Sequence, residues 1–114
     1  MSKRIQRVNE LIKRELSQIL LRDVEFPRDI LVTVTRVETS PDLRESRVYV
    51  STMPAIKSRE ILKVLNQLIY GIQQEINKRL KMKPIPKIIF IREEKVKEAA
   101  RIEEILEKLK KGEK

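Results

Sequence analysis

The chain contains no cysteine and no histidine among its 114 residues. Without cysteine there can be no disulfide framework and no thiolate metal site. Without histidine, the commonest general base and the commonest zinc ligand are both missing. Glycine is held to two residues, Gly71 and Gly112, which argues against a glycine-rich phosphate loop and against long flexible linkers. Only Phe26, Tyr49, Tyr70 and Phe90 are aromatic, too few for a platform that stacks several bases. The longest apolar run, Ile88 to Ile91, is far short of the roughly 20 residues that span a bilayer. The opening Met1-Ser2-Lys3-Arg4-Ile5 has no signal-peptide apolar core. The expectation is a soluble, cytoplasmic, single-domain protein with no cofactor, no metal and no membrane partner.

Catalysis is hard to build from what remains, since the only bases are Asp, Glu, Lys and Tyr. The acidic pairs Glu93-Glu94 and Glu103-Glu104 are sequence neighbours, and adjacent residues on a helix do not face one another. Glu93 and Glu94 also fall where a helix N-terminus favours anions without any chemistry. A binding protein rather than an enzyme is expected.

What is abundant is charge, at 38% of residues, with 26 Lys and Arg against 17 Asp and Glu and a net of +9. The excess is uneven. Residues 1–22 carry 6 basic and 2 acidic groups, and residues 59–92 carry 8 and 2. Residues 23–58 carry 5 and 6, and residues 93–114 carry 7 and 7. A basic domain of this size points to nucleic acid or to an anionic membrane surface, with plain solubility as the alternative.

Hydrophobic periodicity sets the elements. Ile5, Val8, Leu11, Ile12, Leu16, Ile19 and Leu20 recur at three- and four-residue intervals, which predicts a helix capped by Ser2 and ending near Arg22. Ile30–Val37 is rich in β-branched residues and predicts a strand, and Ser40-Pro41-Asp42 predicts a turn. Arg47–Met53 predicts the second strand of a hairpin. Ile61, Leu65, Leu68, Ile72, Ile76 and Leu80 form one helical stripe from a Ser58 cap to about Met82, with Gly71 inside it. A helix-interior glycine costs about 1 kcal/mol relative to alanine, so the break between two helices is expected at Tyr70-Gly71. Pro84 and Pro86 stop the helix, and Lys87–Ile91 predicts a third strand. Val96, Ala99, Ile102, Ile105, Leu106 and Leu109 predict a final amphipathic helix over 93–114, stopped near Gly112. A hairpin followed by a helical crossover implies an α+β domain with a three-stranded mixed sheet, its third strand parallel to its second.

Three groups of cations are candidates for RNA binding. Lys78, Arg79, Lys81, Lys83 and Lys87 form a run with no acidic residue between Glu75 and Glu93. Dipole stabilisation at a helix C-terminus accounts for one or two of them. Lys3, Arg4 and Arg7 begin a helix, where the dipole opposes cations, so either a phosphate backbone or a frayed first turn explains them. Lys57, Arg59 and Lys63 precede the expected break, where freed N–H groups could receive a phosphate.

These pieces resemble the ribosome-binding factor A family from Arg4 to about Leu106. The resemblance is carried by Arg7-Val8-Asn9-Glu10 and Glu15-Leu16-Ser17-Gln18-Ile19, by Val32-Thr33-Val34-Thr35-Arg36-Val37, and by Ser40-Pro41-Asp42-Leu43. Val48-Tyr49-Val50-Ser51, Lys78-Arg79-Leu80 and Pro86-Lys87-Ile88-Ile89-Phe90 complete it. It implies a type II KH-like domain over residues 1–92 with the 93–114 helix added to it, and no enzymatic activity. It also implies binding, as a monomer, to the small ribosomal subunit and its rRNA during late maturation and 5′-end processing, with a link to cold adaptation. The family has an Ala-x-Gly kink between its paired helices. Here no alanine stands two residues before Gly71, and Gly71 lies one residue beyond the expected glycine. A KH-like RNA binder unconnected with the ribosome, or an interaction protein working through its C-terminal helix, are the alternatives.

Overall fold

Ser2 opens the fold as a true cap: its Oγ accepts from the Ile5 N–H at 3.1 Å, and α1 (Lys3–Asp23) follows. The structure, a computed structural model, describes residues 2–94. After α1 come β1 (Leu31–Thr39), β2 (Glu45–Met53), α2 (Ser58–Gln67), α3 (Ile69–Arg79) and β3 (Lys87–Arg92). The C-terminal amphipathic helix expected over 93–114 lies outside the described residues, save for Glu93 and Glu94.

The sheet has the order β1-β2-β3, with β1 antiparallel and β3 parallel to β2, so the fold is the expected α+β arrangement with a mixed sheet. Val34, Val37, Val48, Val50, Ile88 and Phe90 point from one sheet face into the core. They meet Ile12, Leu16 and Ile19 of α1, Ile61 and Leu65 of α2, and Ile72 and Ile76 of α3. Burying a large aliphatic side chain stabilises by roughly 1.5–3 kcal/mol, and these positions dominate folding. Thr35 is an extra residue in β1: Val34 pairs with Val50 and Arg36 with Tyr49, so two residues of β1 oppose one of β2. The bulge turns Thr35 and Arg36 both away from the core.

Three expectations need correction. The break between α2 and α3 falls at Leu68, not at Tyr70-Gly71. The Leu68 N–H is shared between the carbonyls of Val64 and Leu65, and its backbone leaves helical geometry (φ −101°, ψ 4°) before Ile72 N–H bonds back to its carbonyl. Leu68 alone of the predicted stripe is turned out, 43% exposed, because the break rotates it off the buried face. Gly71 therefore sits in the first turn of α3 with helical backbone, and nothing lies within 4 Å of where a Cβ would stand. Second, Ser58 is the first helical residue of α2 rather than its cap. It is buried, and its side chain makes no capping bond; Lys57 holds the cap position. α3 also ends at Arg79, three residues before Met82, where Leu80 turns extended and into the core.

Candidate nucleic-acid interface

The β1–β2 turn is built from its own side chains. Ser40 Oγ donates to Asp42 Oδ1 at 2.7 Å, and the Arg44 N–H donates to the same oxygen at 3.1 Å. These bonds hold the Asp42 carboxyl below the usual carboxylate range, the serine hydroxyl first and the backbone N–H second. Leu43 takes a left-handed φ of 61°, buries its side chain and throws Arg44 outward. The turn then gathers neighbours. Asn9 of α1 accepts from Thr39 N–H at 2.9 Å through Oδ1, and the Lys87 N–H donates to the Arg44 carbonyl at 2.9 Å. Gln73 of α3 accepts from Ile88 N–H at 2.8 Å and donates to the Pro86 carbonyl at 3.1 Å. The start of α3, the start of β3 and the hairpin turn thus meet at one end of the sheet.

A groove of about 440 Å³ opens there, lined by Arg44, Ile69, Tyr70, Gln73, Asn77 and Lys87 among others. Tyr70 is 77% exposed at its rim. Two cations, one exposed aromatic ring and amide side chains around an open groove can hold phosphate charge and offer one stacking surface. Arg44 was not distinguished by sequence reasoning. Its signal was its position immediately after a turn that must present it to solvent.

The sequence-predicted cations divide among several places. Lys3, Arg4 and Arg7 are exposed on the half of α1 that Asn9 ties to the turn end. Their first turn is formed and capped, with the Gln6 N–H bonded to the Ser2 carbonyl at 3.2 Å, so they stand against the positive end of the helix dipole. Lys87 lies in the groove, and Lys81 and Lys83 are exposed on the connection that leads to it. Lys78 is exposed near the end of α3. Lys57 and Arg59 instead sit past Met53, the far end of β2, and Lys63 is exposed partway along α2. Nine residues of strand set the two ends about 30 Å apart.

Arg79 has another role. It bonds Glu75 at 3.2 Å and reaches α1 at Glu15, 3.4 Å, and Gln18, 3.3 Å. Glu75 and then Glu15 raise its pKa above the ordinary arginine value. It is a clasp between helices. Lys57, at the cap of α2, is 3.7 Å from Glu60 in the first turn of that helix. The other nine predicted cations have no carboxylate within 4.0 Å among the described residues.

Glu93 also differs from its expected role as a solvated helix-start acid. Its N–H prolongs β3 by bonding the Val50 carbonyl at 2.9 Å. Its side chain is buried and accepts from Arg36 Nε at 2.7 Å and Thr35 Oγ1 at 2.8 Å. The Arg36 guanidinium in turn lies 3.7 Å from the Tyr49 ring centroid. The hydrogen bond that Arg36 donates to Glu93 is the main reason the Arg36 pKa is raised.

Comparison with known proteins places these features in context. A family model described as ribosome-binding factor A matches residues 4–106. The ribosome-binding factor A of Thermodesulfovibrio yellowstonii is 37% identical over 109 residues, covering 96% of this chain and 92% of that one. A solution structure from Thermotoga maritima superposes with a TM-score of 0.67 at 31% identity, over 80% of this chain and 88% of that one. Coordinates of the Thermus thermophilus ribosome-binding factor A, a homology model fitted into a cryo-electron-microscopy map of a 30S complex, superpose with a TM-score of 0.63. That match has 25% identity and covers 73% of this chain and 88% of the other.

Proposed function

The chain belongs to the ribosome-binding factor A family, and from that premise we propose that it binds the small ribosomal subunit as a non-enzymatic assembly factor. It acts on the precursor particle through rRNA, late in maturation, when the 5′ end of the small-subunit rRNA is processed. The observation that carries this reading is the set Lys3, Arg4, Arg7, Lys81, Lys83 and Lys87, exposed at or leading to the hairpin-turn end without a carboxylate within 4.0 Å among the described residues, beside an open groove with an exposed tyrosine. Such cations are costly to crowd together unless a polyanion neutralises them. The fitted 30S complex of a relative supports the same partner.

Co-sedimentation with free small subunits tests it. Association is expected to weaken steeply with salt, because each neutralised phosphate releases counterions. Binding only to translating ribosomes, or to none, overturns the reading. Competition between precursor rRNA and unrelated RNA at fixed salt separates ribosomal specificity from generic KH-like binding, since a ratio of affinities decides it.

A further inference from the structure

The groove at the hairpin-turn end has a polarity that backbone groups impose on it. Tyr70, Gln73 and Asn77 stand three and four residues apart on α3, so they share one helix face. Gln73 Oε1 accepts from the Ile88 N–H at 2.8 Å, and its Nε2 donates to the Pro86 carbonyl and to Asn77 Oδ1, each at 3.1 Å. A backbone N–H can only donate and a carbonyl can only accept, so the Gln73 amide cannot be turned over. Asn77 is oriented in its turn. Its Oδ1 faces Gln73, and its Nδ2 makes no hydrogen bond among the described residues. Arg44 and Lys87 are donors only. The bond from the Lys87 N–H to the Arg44 carbonyl keeps them together at the groove. Arg44 lies 3.6 Å from Asp42, a contact between exposed groups that water screens. What Arg44, Lys87 and Asn77 offer a ligand is therefore hydrogen-bond donors, beside the exposed ring of Tyr70.

A paired nucleotide cannot use this arrangement. In a duplex both faces of each base are covered by neighbours, and a tyrosine has nothing to stack on. An unpaired nucleotide can use it, and donors sort the bases. Uracil and guanine carry a carbonyl oxygen where cytosine and adenine carry an amino group. An amino group set against donors loses water and gains no partner. We propose that the groove takes one unpaired nucleotide with a keto base, uracil or guanine. The inference rests on the reading of this end of the domain as an rRNA site. The base stacks on Tyr70, its carbonyl oxygen accepts from Asn77 Nδ2, and its phosphate lies with Arg44 and Lys87. Gln73 is the positioning residue that turns the Asn77 donor outward.

Amide NMR of the full chain tests this with hexauridylate and hexacytidylate, which carry the same phosphates and differ in the base. At one low salt concentration, hexauridylate should move the Asn77 side-chain amide signals and bind about fivefold more tightly than hexacytidylate. Tyr70→Ala should weaken hexauridylate binding roughly fivefold or more, and Tyr70→Phe should keep it. Asn77→Asp puts an acceptor where the donor stood and should reverse the ranking in favour of hexacytidylate. A merely structural Asn77 would leave that ratio unchanged. A blunt RNA duplex should leave the Asn77 amide in place. Equal affinity for the two hexamers, binding of neither, an unreversed ranking in the aspartate variant or a duplex that moves the amide overturns the inference. Co-sedimentation with free small subunits separates the two readings. Salt-sensitive association of the unaltered chain alongside any of those results leaves the rRNA reading standing, and its absence removes that reading.

Discussion

Replacing Glu93 by alanine removes the carboxylate that joins the end of the last strand to the bulge of the first. Among the described residues two hydrogen bonds go with it, from Arg36 at 2.7 Å and from Thr35 at 2.8 Å. Hydrogen bonds to a charged group contribute about 1.5–3 kcal/mol each. The Glu93 side chain is 2% exposed and that of Arg36 31%. Arg36 can therefore regain some water when its partner is lost, so the full 3–5 kcal/mol typical of breaking a buried pair is not reached. The expected loss is about 2–3 kcal/mol, a large share of the roughly 5–15 kcal/mol that stabilises a domain. With a urea slope of about 1–3 kcal/mol/M, the unfolding midpoint should fall by roughly 0.7–3 M. A double-mutant cycle with Arg36→Met should return a coupling of at least about 1 kcal/mol, because the two groups touch directly. A midpoint shift worth less than about 0.5 kcal/mol, or a coupling near zero, would show that the pair behaves as a screened surface contact and would refute the reasoning.

Gly71→Ala should stabilise the domain by about 0.5–1 kcal/mol and raise Tm by a few degrees, because the backbone is helical and the Cβ has open space; a lower melting temperature in a calorimetric scan would contradict this. Ser40→Ala should move the Asp42 titration, followed by carboxyl-carbon NMR, upward toward the ordinary value. Since folding lowers this pKa, the turn's contribution is present at neutral pH and is lost as pH falls through the depressed value, and an unmoved titration would remove the serine from the explanation. Arg44→Ala and Lys87→Ala should each reduce the slope of log affinity against log salt for small-subunit binding by about 0.7–0.9, whereas Lys57→Ala and Arg59→Ala at the far end of the sheet should leave it unchanged. The opposite ranking would move the interface to the other end.

Most of the fold was legible in the sequence because burial imposes period. The stripe from Val8 to Leu20, the β-branched run before Ser40-Pro41-Asp42 and the apolar run at Ile88 each bury the predicted side chains. The helix break was legible as an event but not as a place. Ile61, Leu65, Ile72 and Ile76 keep helical spacing across it, so periodicity cannot locate it. Gly71 drew attention instead, since propensity penalises glycine in a helix interior and has nothing to say about its first turn. The cations were legible as a class, but their partners were not. Arg79 finds Glu15 sixty-four residues away in sequence, and Glu93 finds Arg36 across fifty-seven. Only folding creates those neighbours, and it separates a clasp from a free charge.

The extra residue at Thr35 makes the two halves of β1 count differently. Before it, even-numbered positions face inward, as Val32 and Val34 do; after it, odd-numbered ones do, as Val37 and Thr39 do. A chain shortened by that single residue would close the ladder in register, with Val34 and Val37 still inward and Arg36 still outward opposite Tyr49. A deletion of any other one residue between Leu31 and Val34 would instead reverse the faces of the positions before it. The spare residue is thus kept not for the register but for the hydroxyl it sends to Glu93.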